Sequence, residues 1–181
     1  MQLIERFRSG DDDAVEELVR IHHHEVYGLA LSLLREPDEA DAAAQEAFVR
    51  AIKSRDKFRG DSSFSTWLYS ITLNVCRGRM RKQRARERMR RAVQALFRLD
   101  NAFTSDPEAD VIQKESRAAV SDAVNDLRDK YRVPIILRYG HGLRIADIAR
   151  IMDVSERTVY NRLRMAHQQL HRLLKEGGFI P

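Results

Sequence analysis

Apolar residues recur along most of this chain at the three- and four-residue spacing of amphipathic helices. Strand-like alternation is scarce, and only 8 glycines and 4 prolines interrupt the 181 residues. The pattern predicts helices over residues 2–8, 13–34, 38–55, 65 onward, 109–127 and 129–139, and two more within 143–174. We therefore expect an all-α fold of two small helical domains joined by a flexible, polar linker.

Local signals predict where three of these helices begin. Aspartates at 11–13 are good N-caps for the second helix, and Asp38 has the same role for the third. Pro134 falls inside the pattern over 129–139. Because proline is tolerated in a first turn, we expect that helix to begin near Arg132.

Residues 143–174 have the pattern of two helices joined by a tight turn. Each helix carries one apolar stripe, and Ala149 is small where two crossing helices would approach closely. Asp153 is expected to adopt the left-handed backbone of the turn, and the Ser155 hydroxyl to cap the second helix. This is the layout of a helix-turn-helix, whose second helix enters the major groove of DNA.

The outward face of that second helix is polar and basic, unlike the mixture of Glu and Lys on a merely solvated face. A plain surface hairpin is the alternative that the apolar stripes alone leave open. The face supplies these candidate contacts to duplex DNA: Ser155, Arg157, Thr158, Tyr160, Asn161 and Arg164.

The composition favours a polyanionic partner. The formal net charge is +5, and 26 of the 32 basic residues are arginines, whose planar donors suit phosphate and guanine. Nine basic residues and one acidic residue lie between Arg77 and Arg91. Because like charges on one helix repel each other, we expect this segment to bind a polyanion or to end in solvent. A nucleic acid is the expected partner, with a membrane surface or an acidic protein left open.

Other function classes find little support. The single cysteine, Cys76, allows no internal disulfide and no zinc site by itself. Residues 22–24 are consecutive histidines, which point about 100° apart on a helix and form no compact ligand set. No catalytic set stands out, so we expect no enzyme, metal or cofactor. No apolar run approaches a membrane span, and the N-terminus lacks a signal region, so a cytoplasmic protein is expected.

Aromatic and basic residues alternate with Gly and Ser over 58–79, FRGDSSFSTWLYSITLNVCRGR. Single-stranded DNA binding needs such a combination, because bases stack on rings while arginines follow the phosphates. The competing interpretation places the aromatic residues in an ordinary core, and we favour it for Phe48 and Trp67. The polar loop Arg59–Ser63 has little packing to do and is therefore a candidate binding loop.

The order of these residues resembles a known family, the extracytoplasmic-function (ECF) group of bacterial RNA polymerase sigma factors. The segment from Phe58 to Asn74 is similar to the family's second conserved region. Segments 39–41 and 45–51 resemble the helix with which the family grips the polymerase clamp, and the pattern from Leu127 to Leu163 is similar to the fourth region.

The resemblance implies two functional domains joined by a linker. Residues 1–91 would bind core polymerase and capture the melted −10 element, 92–107 would be a linker, and 108–181 would read the −35 element as duplex. Polymerase contacts would come from Asp41, Gln45, Glu46, Phe48 and Arg50. Contacts to −10 DNA would come from Arg59, Gly60, Asp61, Ser62, Ser63, Phe64, Asn74, Arg77 and Arg81.

The implied partners are promoter DNA and core RNA polymerase, through its clamp and flap. Family members are often held by an anti-sigma protein, although no residue here indicates one. The main alternative is a stand-alone helix-turn-helix regulator that binds duplex DNA as a dimer, which leaves the 58–74 pattern unexplained. A second is an enzyme or RNA-binding module with an added helix-turn-helix.

Overall fold

The computed structural model describes residues 2–97 and 120–179, with side chains described for 2–90 and 120–179. These residues form eight helices and contain no strand, so the all-α prediction is confirmed for the described part. The helices are α1 (Gln2–Ser9), α2 (Asp12–Leu34), α3 (Pro37–Lys53), α4 (Phe64–Phe97), α5 (residues 120–126), α6 (Asp129–Ile135), α7 (Ile145–Met152) and α8 (Glu156–Glu176). A 3₁₀ turn, Arg55–Lys57, follows α3, and a π-helical turn, Ile136–Gly140, follows α6.

The predicted cap of α2 is confirmed. Gly10, at φ +85°, ends α1 in a left-handed conformation that glycine adopts without strain. The Asp11 carboxylate then accepts a hydrogen bond from the Ala14 N–H at 3.1 Å. Arg6 donates to the same carboxylate at 2.8 Å, which joins α1 to the start of α2.

Two predicted helix starts are wrong. The N-cap of α3 is Glu36, without a side-chain hydrogen bond, and Asp38 lies in the first turn, where its charge complements the helix dipole. The helix α6 begins at Asp129, so Pro134 lies in its interior. The surrounding residues are almost all buried, and that packing outweighs the hydrogen bond that proline cannot make. The backbone widens into the π-helical turn directly afterwards.

The long helix α4 extends to Phe97, past residue 92, where the sequence predicts the linker to begin. Residues 98–107 of the predicted linker, and the predicted helix over 109–119, lie outside the described residues.

The N-terminal module, α1 to α4, is a small bundle in which α2, α3 and α4 contact one another. Alanines form most of the buried face of α3, so its backbone approaches its neighbours closely. The buried side chains of α3 are Ala40, Ala43, Ala44, Ala47, Phe48 and Ala51. Opposite them, α2 contributes Val26, Leu29 and Leu33, each at most 1% exposed.

The C-terminal module, α5 to α8, packs directly on the N-terminal module. Helix α7 lies against α4, and the π-helical turn lies against α2. The buried apolar side chains of both modules form one continuous cluster. The sequence predicts two domains on a flexible tether, whereas the structure brings them together into one packed body.

Candidate nucleic-acid interface

The helix-turn-helix forms as its local sequence predicts. Asp153 has φ 55° and ψ 55°, the left-handed conformation expected for the turn, and the Val154 N–H donates to the Ala149 carbonyl at 3.0 Å. The Ser155 hydroxyl caps α8 by accepting from the Thr158 N–H at 3.2 Å. Ala149 and Val159 are buried where α7 crosses α8. The turn therefore fixes α8 rigidly against α7.

The outward face of α8 is open to solvent. Arg157, Asn161 and Arg164 are exposed, and Tyr160 is 60% exposed. Thr158 is half-buried, and its hydroxyl lies 2.9 Å from that of Ser155, so these two residues contribute to the cap as much as to the surface. The structure thus gathers four of the six predicted duplex contacts on one accessible, basic face.

The loop before α4 is supported by a cluster of aromatic rings. Phe58 and Phe64 are buried and pack edge to face at 5.6 Å between ring centroids. Trp67 packs on Phe58 at 5.2 Å, and Phe7 packs on Phe64 at 5.3 Å. Phe64 is therefore a support of the predicted −10 loop, and its ring is turned away from solvent.

Ser62 and Ser63 have different surroundings. The Ser63 hydroxyl accepts from the Thr66 N–H at 3.1 Å and lies 2.8 Å from the Thr66 hydroxyl, which makes it the N-terminal cap of α4. Among the residues that the structure describes, the Ser62 hydroxyl has one hydrogen-bond partner, the neighbouring Ser63 carbonyl, to which it donates at 3.2 Å. Gly60, at φ +82°, has no atom within 4 Å of a built Cβ position, so the backbone conformation rather than space requires glycine here.

A cavity of about 290 Å³ opens between this loop and the first turns of α4. Its polar lining includes Lys57, Arg59, Asp61 and Ser62 from the loop side, and Trp67 forms an aromatic wall. Arg150, from α7, also lines it. An aromatic wall beside cations and hydroxyls is suited to an unstacked base and its phosphate. The contribution of Arg150 has no signal in the sequence, because it comes from the other module.

The basic end of α4 is only partly free. Arg79 donates to Glu39 at 2.6 Å and to Glu46 at 3.0 Å, and so ties α4 to α3. Asn74 and Arg81 are exposed and line a second cavity, of about 490 Å³. Arg77 is half-buried; burial, and then the nearby guanidinium of Arg162, lower its pKa. The three predicted backbone contacts on α4 therefore differ in accessibility.

The predicted polymerase face lies on α3. Asp41 and Gln45 are exposed and joined by a hydrogen bond of 2.8 Å, and Arg50 donates to Glu46 at 2.6 Å. Burial alone raises the pKa of Glu46, but hydrogen bonds and charge from Arg79 and Arg50 outweigh it and leave the pKa below its usual value. Phe48 is only 7% exposed, so its ring packs in the bundle and offers little surface to a partner.

Residues 2–97 and 120–179 show no arrangement typical of a metal site, a reactive thiol or a membrane span. No three His, Cys, Asp or Glu side chains there are grouped to hold a metal ion. Cys76 is fully buried, and burial raises its thiol pKa to about 12. No helix of that part has both the length and the apolar character needed to span a bilayer.

Comparison with known proteins identifies the family. Residues 18–86 match the model for sigma-70 region 2, and residues 117–170 match that for sigma-70 region 4. The chain is 33% identical to the RNA polymerase sigma-H factor of Pseudomonas aeruginosa, over 96% of this chain and 93% of the relative. It is 31% identical to the ECF sigma factor SigW of Bacillus subtilis, over 96% and 95% of the two chains. The chain belongs to the ECF group of RNA polymerase sigma factors.

Further comparisons agree with this ECF assignment. The ECF sigma-E factor of Escherichia coli K12 is 34% identical, over 93% of this chain and 90% of the relative. The RpoE sigma factor of Bartonella quintana, solved with the anti-sigma factor NepR, is 26% identical and has a TM-score of 0.63, over 88% and 96% of the two chains. CnrH, solved with the cytosolic domain of CnrY, shares the fold with a TM-score of 0.68 at 24% identity, over 96% of each chain. The stand-alone regulator is not favoured, because region 2 and region 4 are both present.

Proposed function

We propose that this ECF sigma factor directs core RNA polymerase to promoters with two DNA-reading surfaces, one in each module. The observation that carries the proposal is that a duplex-reading helix and an aromatic, basic loop cavity occur in one chain that matches both sigma regions. The duplex surface, named here the α8 face, comprises Arg157, Tyr160, Asn161 and Arg164, which would contact the −35 element. A bidentate arginine–guanine contact is worth about 1–3 kcal/mol of discrimination.

The second surface, named here the loop surface, comprises residues 59–63 with Trp67, Asn74, Arg77 and Arg81. We assign it to the non-template strand of the −10 element. An extracted base costs a few kcal/mol of stacking, which the Trp67 wall, the loop hydroxyls and the basic side chains would offset. Ser62, whose hydroxyl donates to a neighbouring carbonyl and caps no helix, is the better candidate for direct contact with the base. Ser63 and Phe64 would shape the loop from behind.

The exposed side of α3 is assigned to the polymerase clamp. Asp41, Gln45 and Arg50 would contact polymerase, and Phe48 would support them from the core. The Arg79 ion pairs to Glu39 and Glu46 would hold α3 in register with α4, so that polymerase binding and −10 capture share one rigid unit.

The chain would do no chemistry of its own and would act in the cytoplasm, where polymerase is. The B. quintana relative was solved with an anti-sigma factor, so we also propose an anti-sigma protein as a partner of this chain. A flap contact by the C-terminal module rests on the family resemblance.

Transcription with core polymerase tests the proposed function. Purified full-length protein is added to core enzyme on genomic DNA fragments, and the RNA 5′ ends are mapped. New start sites that share upstream sequences at −35 and −10 would support it. Duplex binding by a dimer without any new start site would overturn it and restore the stand-alone regulator.

A further inference from the structure

The cavity of about 490 Å³ beside Asn74 and Arg81 is a groove between α3 and α4. One flank of α4 forms one wall, side chains of α3 form the other, and Leu34 and Val75 add apolar surface. Small-molecule sites in proteins have volumes of about 300–1,000 Å³. This groove, named here the α3–α4 groove, therefore has the size of a ligand site.

The α4 wall contains a glycine that neither the backbone nor the packing requires. Gly78 lies in the interior of α4, where glycine is less favourable than alanine. Its φ is outside the left-handed region, and no atom lies within 4 Å of a built Cβ position. Gly78 lines the groove. A position without a side chain in such a wall is typical of a backbone that a ligand approaches closely.

The groove has a surplus of positive charge, because five basic and two acidic side chains line it. Both carboxylates are already held by arginines. Arg79 donates to Glu39 and Glu46, and Arg50 donates to Glu46 as well. The other three basic side chains are exposed, and none forms an ion pair with a residue that the structure describes: Arg81, Lys82 and Arg86. An anion that bridges these charges would relieve their mutual repulsion.

Hydrogen-bonding groups without partners accompany these charges. The buried Nε of Arg79 has no hydrogen-bond partner among the described residues, and such a donor in a native structure points to a bound water, ion or ligand. Asn74 and Gln83 line the groove with amides that can donate and accept, and neither amide has a described hydrogen bond. Cations, amides and apolar surface together suit the phosphates, the polar edges and the rings of a nucleotide.

The groove is distinct from the surfaces assigned above. With 3.6 residues per turn, Lys82 and Arg86 lie about 130° around α4 from the loop-surface residues of that helix. The α3 wall lies about 140° around α3 from Asp41 and Gln45 of the proposed polymerase face. The loop surface meets the groove only at one edge. A DNA strand that follows the loop surface would therefore leave Lys82 and Arg86 to one side.

We propose that the α3–α4 groove binds a nucleotide with two or more phosphates. Lys82 and Arg86 would hold the phosphates. Asn74 and Gln83 would hydrogen-bond the base or the sugar, while the ligand lies against the backbone of Gly78. The lining extends over about 18 Å of α4, from Asn74 to Arg86, which suits an extended ligand better than a single ion. This site goes beyond promoter recognition, because it gives the sigma factor a small-molecule ligand of its own.

The Gly78→Ala variant distinguishes a ligand site from a structural role. Alanine has the higher helix propensity and its Cβ would meet no atom of the free protein, so the urea midpoint should rise. In the complex the same Cβ would crowd the ligand, so the affinity should fall by roughly tenfold. Isothermal titration calorimetry of the full chain with ATP and with GTP measures this affinity. Unchanged affinity in Gly78→Ala would overturn the proposal.

Substitution of the cations tests the phosphate contacts. Lys82→Ala and Arg86→Ala should each weaken nucleotide binding by roughly tenfold, the value of one hydrogen bond to a charged group. Arg88→Ala is the matched control, because Arg88 is exposed on the same helix and does not line the groove. It should bind as the wild-type chain does, with every titration at one salt concentration. An equal loss in Arg88→Ala would mean diffuse attraction and would contradict a site.

Two further probes identify the source of the phosphates. Tripolyphosphate carries phosphates without a base, and a short single-stranded DNA of random sequence carries them in a chain. We expect ATP or GTP to bind the wild-type chain more tightly than tripolyphosphate does. Equal affinity for tripolyphosphate would contradict the contacts to base or sugar, and undetectable binding of both nucleotides would overturn the proposal. If Gly78→Ala, Lys82→Ala and Arg86→Ala weakened DNA binding alone, the groove would belong to promoter DNA and the proposal would be wrong.

Discussion

The α8 face and the loop surface differ in the elements that position them. The α8 face stands on a regular helix whose cap, turn and crossing with α7 are all satisfied within the C-terminal module. The loop surface combines an irregular segment with a long helix, and a residue of the other module lines its cavity. A reader of duplex DNA needs only a rigid face, whereas a reader of melted DNA has to bind a strand that becomes available late. The structure therefore presents an exposed face on a regular helix and a loop cavity that the other module helps to line.

The largest effect is expected when two arginines of the α8 face are removed. Arg157→Ala with Arg164→Ala should weaken −35-dependent initiation by about 30-fold or more, since each contact to a base is worth at least about 1 kcal/mol. Binding to core polymerase, measured by native gel shift, should remain at the wild-type level. Arg172→Ala, an exposed position near the other end of α8, is the control and should have little effect. Lost core binding would argue against the assignment of the α8 face to DNA.

A smaller effect separates the two loop serines. Ser62→Ala should reduce permanganate reactivity of −10 thymines by about fivefold, the value of one hydrogen bond of about 1 kcal/mol, with unfolding free energy changed by less than about 0.5 kcal/mol. Ser63→Ala should lower the unfolding free energy by about 1 kcal/mol, because it removes the cap of α4. Urea unfolding distinguishes the two variants. Equal stability of both would contradict the capping role of Ser63, and unchanged thymine reactivity in Ser62→Ala would count against a base contact there.

Acid should open the contact between modules through His141. Burial lowers the pKa of His141, while the charge of Glu25 on α2 acts in the other direction. Tyr69, opposite the ring, is neutral over this pH range, and burial raises its pKa further, to about 12. The separated state then binds the proton more readily than the packed state, so packing is favoured above about pH 6.5 and weakens as pH falls below it. Fluorescence energy transfer between dyes attached at Glu16→Cys and Lys175→Cys, both exposed positions, should fall as the ratio of separated to packed molecules rises.

The control for this pH effect is His141→Phe, which keeps an aromatic ring against Tyr69 and cannot titrate. Its energy transfer should be flat between pH 5.5 and pH 8, values that bracket the usual histidine pKa of about 6.5. An equal fall in His141→Phe would mean that another group drives the change.

Local sequence signals predicted the parts of the fold that depend on neighbouring residues. The Asp11 and Ser155 caps and the left-handed Asp153 follow from single side chains and a few backbone groups, and all are confirmed. The start of α6 could not be predicted in this way, because burial of residues 132–137 in the shared core outweighs the preference of Pro134.

The functional surfaces, too, were predictable only where they depend on residues close together in the sequence. Its loop and α8 residues stand out by composition and spacing, whereas the Arg150 wall and the Arg84–Asp129 pair join residues far apart in the chain. Surface charges carry no periodic pattern that would indicate their partners. Contact between the modules is therefore a property of the tertiary structure, and only the structure revealed it.

The smallest expected effect concerns the turn that makes the α8 face rigid. Asp153 adopts φ 55°, which costs an L-residue about 1–2 kcal/mol, although aspartate tolerates it better than most. Asp153→Gly removes this strain but adds freedom to the unfolded chain, for a net gain of about 0.5 kcal/mol. Asp153→Ala keeps the strain without the local hydrogen bonding of an aspartate, and should lose about 1 kcal/mol. Urea unfolding should rank the three proteins by unfolding free energy, with Asp153→Gly highest, the wild-type chain next and Asp153→Ala lowest. If alanine equalled glycine, backbone strain would not limit the turn, and the rigidity of the α8 face would have to come from the packing of α7 on α8 alone.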